Sequence, residues 1–92
     1  MRLEIDLYER KVELLKALAH PIRLCIVKNL IQGGGCNVSY MEECLEVSQS
    51  VVSQHLTKLK AAGIIKGQRQ GNEIFYEVEN EEVKAIITAL FQ

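Results

Sequence analysis

Two rhythms divide this sequence. Over most of its length apolar residues return every third or fourth position, the period of a helix packed on one face. Between positions 64 and 78 the helical period lapses, and Ile74, Tyr76 and Val78 alternate with Phe75 and Glu77, the period of a strand. Two breaks then cut the helical part. His20-Pro21 stops one helix and starts another, because Pro is tolerated in the first helical turn but not inside. Gly33-Gly34-Gly35 stops the second, since three glycines in a row lose too much backbone freedom in a helix; this predicts a flexible connector.

The spacing gives each element its bounds. Ile5, Tyr8, Val12, Leu15 and Ala19, widened by Leu7, Leu14 and Leu18, predict a helix over 3–18. Its apolar face is broad for a terminal helix and asks for a partner. A second helix runs from Pro21 to about Ile31, ringed by Ile22, Leu24, Cys25, Ile26, Val27, Leu30 and Ile31, and should be the central buried one. Val38, Met41, Cys44 and Leu45 fit a short third helix over 38–45. After the tight link Glu46-Val47, Ser48 can cap a fourth helix over 49–62, accepting from a free backbone N–H. That helix turns Val52, Leu56 and Leu59 inward and ends at Ala62-Gly63. Strands over 64–69 and 73–78 flank a hairpin turn at Gln70-Gly71-Asn72. Val83, Ile86, Ile87 and Leu90 stripe a last helix over 81–91, with Glu81 and Glu82 at the positive end of its dipole. Four helices, a hairpin and a fifth helix make a mainly α, α+β architecture: a winged helix-turn-helix.

At 92 residues, 48% of them apolar, the chain reads as one domain (1–92) with a thin core that a second copy could extend. Charges interrupt residues 1–11, so no signal peptide is expected there, and no apolar run approaches the ~20 residues that span a bilayer. The expectation is a soluble cytoplasmic protein away from membranes, its three cysteines kept reduced.

The net charge of −1 conceals a segregation. Residues 47–72 hold four basic residues (Lys58, Lys60, Lys66 and Arg69) and no acidic one. The other residues hold seven basic and twelve acidic, a balance of −5. A connected basic segment on a mildly acidic protein is an electrostatic footprint for a polyanion, although a solvated face would look the same from charge alone. Within it lies Ser48-Gln49-Ser50-Val51-Val52-Ser53-Gln54-His55-Leu56-Thr57-Lys58-Leu59-Lys60. On a helix, Gln49, Ser50, Ser53, Gln54 and Thr57 share the side away from the apolar stripe. Gln can pair with an adenine edge and Ser can donate to bases or phosphates. Lys58 and Lys60 can reach phosphates, which position a helix without reading sequence. An ordinary surface helix would carry Glu–Lys pairs, and this stretch has no acid.

Here the chain resembles a known family. The run Val47-Ser48-Gln49-Ser50, Ser53-Gln54-His55-Leu56, Leu59 and Ala62-Gly63, followed by Arg69 and Gly71, is similar to the ArsR/SmtB family of bacterial repressors. So is Ala17-Leu18-Ala19-His20-Pro21 with Arg23-Leu24, and the resemblance covers nearly the whole chain. It points to the branches without a metal site, which the tail over 81–87 supports. It implies homodimers formed through the first and last helices. It implies that Gln49, Ser50, Ser53, Gln54 and His55 lie at or near the major groove of double-stranded DNA. It implies further that Arg69, Gln70 and Asn72 form a wing tip near the minor groove or backbone. Two such helices about a two-fold axis would read an inverted repeat and occlude a promoter.

Many members bind a metal through two cysteines and an aspartate in the third helix. Here those positions are Asn37, Ser39 and Tyr40, and Cys36 is one residue out of register, roughly 100° around a helix. The last helix has no His. No metal and no cofactor are expected. The cysteine pair of sulfur-responsive relatives is not reproduced either: Lys28 stands near its first position and the last helix has no Cys. Thiol control remains open through Cys36, expected to be exposed and mobile beside the glycines, and Cys44, eight residues on. Against it, Cys25 and Cys44 sit in apolar patterns, as small buried hydrophobes do. His20 reads as a helix-start residue, His55 as a phosphate contact or a packing group near the turn, and Arg23 as an ion-pair or phosphate partner. No catalytic constellation is present, and the glycine run lacks the Lys-Ser/Thr of a phosphate loop, so no enzyme is expected. A winged-helix module whose basic face serves a protein partner is the alternative to DNA binding.

Overall fold

A computed structural model describes residues 4–92. Helices α1 (Ile5–Leu18) and α2 (Pro21–Gly33) are followed by a two-residue strand β1 (Cys36–Asn37), α3 (Val38–Leu45) and α4 (Gln49–Ala61). The hairpin β2 (Ile65–Gln70) and β3 (Glu73–Val78) leads into α5 (Glu81–Phe91). The order is that of a winged helix-turn-helix, and each of the seven expected elements lies within two residues of its expected range. The expected start of the first helix at residue 3 lies outside the described residues.

Side chains set the helix starts. The Oδ1 of Asn37 accepts from Tyr40 N at 2.9 Å, the Oγ of Ser48 from Val51 N at 3.3 Å, and the Oδ1 of Asn80 from Val83 N at 3.0 Å. Each satisfies a backbone donor that the first turn leaves unpaired, worth about 1 kcal/mol. The core gathers Leu14, Ala17 and Leu18 of α1, Ile26, Val27 and Leu30 of α2, and Val52, Leu56 and Leu59 of α4 around Ile64, Ile65, Val83 and Ile87. α2 lies at the centre, as its apolar ring requires.

The glycine connector departs from the expectation. α2 continues through Gly33 and is capped by Gly34 at φ 78°. Gly35, at φ 119°, then presses against the sheet: a Cβ there would stand 2.5 Å from Phe75 Cε1 and 2.8 Å from the Tyr76 carbonyl oxygen. Only glycine permits both the turn and the approach. The chain emerges as β1, which pairs antiparallel with β3 (Cys36 opposite Tyr76, Asn37 opposite Phe75). The hairpin is therefore part of a three-stranded sheet in the order β1-β3-β2, and the connector is a packed corner rather than a loose tether.

Candidate nucleic-acid interface

The turn between α3 and α4 is made by Glu46 in the left-handed region (φ 56°), whose N–H donates to the Glu42 carbonyl. It delivers Ser48 to the α4 cap, where the Ser48 hydroxyl also lies 3.2 Å from that of Ser50. α4 buries Val52, Leu56 and Leu59 completely or nearly so. The opposite side is exposed: Ser48, Gln49, Ser50, Ser53, Gln54, Thr57, Lys58 and Lys60. The Thr57 hydroxyl donates to the Ser53 carbonyl at 2.9 Å and so keeps its own lone pairs outward. At the hairpin, Arg69, Gln70, Gly71 and Asn72 are exposed at the tip.

The basic segment is not uniformly available. Lys66 forms a 2.6 Å ion pair with Glu79, which raises its pKa by hydrogen bonding and charge. Lys58, Lys60 and Arg69 make no ion pair among the described residues. These three are the cations that the α4 face and the wing present.

His55 takes the packing role of the two alternatives expected for it. It is half-buried, and its Nδ1 lies 3.2 Å from Arg23 Nη1, with its ring 4.5 Å from that of His20. Burial first, then the neighbouring His20, Arg23 and Lys58, hold its pKa below the ordinary value. Arg23 departs from the expected ion pair or phosphate contact. It is 9% exposed, the one charged residue in the core of the described chain, and donates from Nε to the Ala17 carbonyl at 2.6 Å. His20 is the helix-start residue expected: its Nδ1 accepts from Ile22 N at 3.1 Å.

The cysteines are corrected as a set. Cys36 is half-buried in β1 rather than exposed, and Cys44, despite its apolar pattern, is exposed. The helix turns Met41 inward instead, buried at 4%. Cys36, Tyr40, Cys44 and Phe75, with Asn29 and Gln32, line a surface pocket of about 590 Å³. Burial and the nearby Cys44 push the Cys36 thiol up. The Tyr40 phenol is raised chiefly by hydrogen bonding to the Cys44 thiol. Among the described residues no three His, Cys, Asp or Glu side chains converge as a metal site requires.

A helix pair joined by a tight turn, its second helix bare and polar on the outer side and followed by a β-hairpin, defines a winged helix-turn-helix protein. A helix-turn-helix domain family matches residues 18–68, more than half of the chain. The transcriptional repressor PagR of Bacillus anthracis is 42% identical over 89 residues, 97% of this chain and 89% of PagR. Its crystal structure matches with a TM-score of 0.86, covering 95% of this chain and 99% of that one. The transcriptional repressor SmtB of Mycobacterium tuberculosis is 43% identical over 82% of this chain, which spans 55% of SmtB. The homodimeric winged helix-turn-helix DNA-binding domain of Mb0332 from Mycobacterium bovis, a possible ArsR-family regulator, matches at 25% identity with a TM-score of 0.86. That match covers 95% of this chain and 80% of the Mb0332 fragment. The chain belongs to the ArsR/SmtB family of winged helix-turn-helix transcriptional regulators. It is a regulator and not an enzyme.

Proposed function

We propose that this chain is a homodimeric repressor that reads an inverted repeat in double-stranded DNA, all 92 residues forming one DNA-binding domain. The observation that carries the reading is the outer face of α4. Gln49, Ser50, Ser53 and Gln54 stand exposed with no acidic neighbour on the helix, backed by Lys58 and Lys60. Gln54 and Gln49 supply paired donor and acceptor groups for base edges; Ser48, Ser50 and Ser53 supply hydroxyls. Lys58, Lys60 and the wing residues Arg69, Gln70 and Asn72 hold the backbone. The names of PagR and SmtB as repressors support the sign of regulation, and the homodimeric Mb0332 domain supports the assembly.

The dimer would form through the terminal helices. Ile5, Tyr8, Val12 and Leu15 on α1 are 45–56% exposed, and Leu90 and Phe91 end α5 in the open. Apolar residues in such a row are covered in a stable oligomer. Binding of the purified protein to its own upstream DNA tests the reading. A tight complex at low salt that Gln54→Ala makes indifferent to operator changes supports it. Salt-independent binding, or none, returns the protein-interaction module.

A second reading rests on the pocket that Cys36 and Cys44 share. A hydroperoxide could oxidise the pair: the O–O bond breaks, an S–S bond forms, and both thiol protons leave in the reduced products. Because burial keeps the Cys36 thiol protonated, the exposed Cys44 sulfur would attack the peroxide first and become a sulfenic acid, whose hydroxyl Cys36 then displaces as water. A bond between β1 and α3 would strain the turn that seats α4. Peptide mapping after peroxide treatment should recover the linked pair, with loss of DNA binding in wild type and none in Cys44→Ser. An oxidised protein that still binds DNA normally rejects this reading.

A further inference from the structure

The contact of His55 with Arg23 joins three elements that the proposed reading uses separately. Arg23 rises from the first turn of α2 and donates to Ala17 O at 2.6 Å and Lys16 O at 3.5 Å. These are among the last carbonyls of α1, at the negative end of its dipole; Lys16 O also accepts from the Ala19 N–H at 3.2 Å. From the same guanidinium, Nη1 lies 3.2 Å from His55 Nδ1 on α4. A guanidinium has only donors, so Nδ1 must accept and the ring must be neutral. His20, between α1 and α2, spends its own Nδ1 on Ile22 N and packs its ring 4.5 Å from His55.

We propose that His20, Arg23 and His55 form a clamp that ties the end of the dimer helix α1 to the reading helix α4, and that duplex binding requires the neutral form of His55. Arg23 and His55 are positioning residues: neither offers a group to DNA. The clamp rests on the DNA-binding reading above and names what sets the angle of α4.

The charges around His55 fix the direction of the pH effect. His20 faces it from the α1–α2 junction, Arg23 from α2, and Lys58 from its own helix. Glu13 and Lys16 of α1 line the adjoining groove with Arg23 and Lys58, and Glu13 sits 3.9 Å from Lys16. Cations therefore outnumber the one carboxylate. A proton on Nδ1 would remove the acceptor and set two cations 3.2 Å apart. The clamped state binds the proton less readily than a free imidazole, whose ordinary value is 6.5. The clamp is thus complete above that value and lost progressively as pH falls below it.

The test measures affinity for duplex DNA at about pH 7.5 and about pH 5.5 in wild type and His55→Gln. Gln can accept from Arg23 at either pH, so the variant keeps the clamp and cannot be switched. Wild-type affinity should fall about tenfold on acidification while His55→Gln holds constant. A wild-type affinity that rises on acidification would mean that His55 meets a phosphate, and would overturn the clamp. Parallel pH profiles for the two proteins would also overturn it. NMR titration of the His55 ring without DNA reports the clamp by itself: the ring should titrate below 6.5, and closer to that value in Arg23→Gln, with burial, His20 and Lys58 still holding it down. Failure to bind DNA at either pH rejects the parent reading and the positioning role. An unshifted ring in a wild type that does bind DNA rejects the clamp alone.

Discussion

The outward sides of α1 and α4 are opposites. α1 shows solvent a row of Ile5, Tyr8, Val12 and Leu15; α4 shows Gln49, Ser50, Ser53 and Gln54, with Lys58 and Lys60 behind them. Both helices bury a comparable inner stripe, so the difference lies in what each is prepared to meet. An apolar row gains by leaving water, at about 25 cal/mol per Å² buried, and is indifferent to salt. A row of amides, hydroxyls and lysines gains little by leaving water. It gains by exchanging hydrogen bonds and displacing counterions, which depends on salt. A thin protein can thus keep two partners apart by chemistry alone: a second copy of itself on one side and a polyanion on the other.

Four substitutions probe that division. Leu90→Asp should have the largest effect, because a charge on the exposed apolar end of α5 opposes burial of the proposed dimer face. Sedimentation should show a protomer, and affinity for a two-half-site duplex should drop by about a hundredfold as one contact of the pair is lost. An unchanged mass would move the dimer elsewhere. Gln54→Ala should cost about 1–3 kcal/mol of discrimination between operator and scrambled duplex with the dimer intact. Equal loss on both duplexes would make Gln54 a backbone contact. Lys58→Ala should weaken binding to every duplex and shallow the salt slope by about one unit per protomer. Loss confined to a single sequence would argue for base reading by that residue. Glu46→Gly should act least. It relieves a left-handed conformation that costs a non-glycine residue about 1 kcal/mol, partly offset by the freer unfolded chain. Thermal unfolding should shift slightly upward, with DNA affinity unchanged.

What the sequence disclosed and what it hid follow from how local each signal is. The bounds of α4 and α5 were legible because a cap and a helical stripe lie within one short stretch, although Asn80 was missed as the cap of α5. β1 was not legible. Two residues have no period, and they form a strand only because Gly35 brings them beside Phe75 and Tyr76, about forty positions away. The exposed face of α4 could be drawn from the opposite stripe alone. The fate of His55 could not, since its partner Arg23 is 32 positions earlier. One clue was present: Arg23 is the only charged residue among the first seven, otherwise apolar, positions of α2. A lone guanidinium in a core helix needs acceptors, and helix α1 ends where they are needed. The thiol positions were misjudged for a similar reason, because the short α3 commits Met41 to the core and leaves Cys44 outside.

If the acid-free face of α4 and the wing meet DNA phosphates, duplex binding must weaken steeply with salt. Lys58, Lys60 and Arg69 in each of two protomers would neutralise about six phosphates. The logarithm of the binding constant should then fall against the logarithm of salt with a slope of about −5. A slope near zero, with the complex still formed, would contradict the account and leave the basic face to a protein partner.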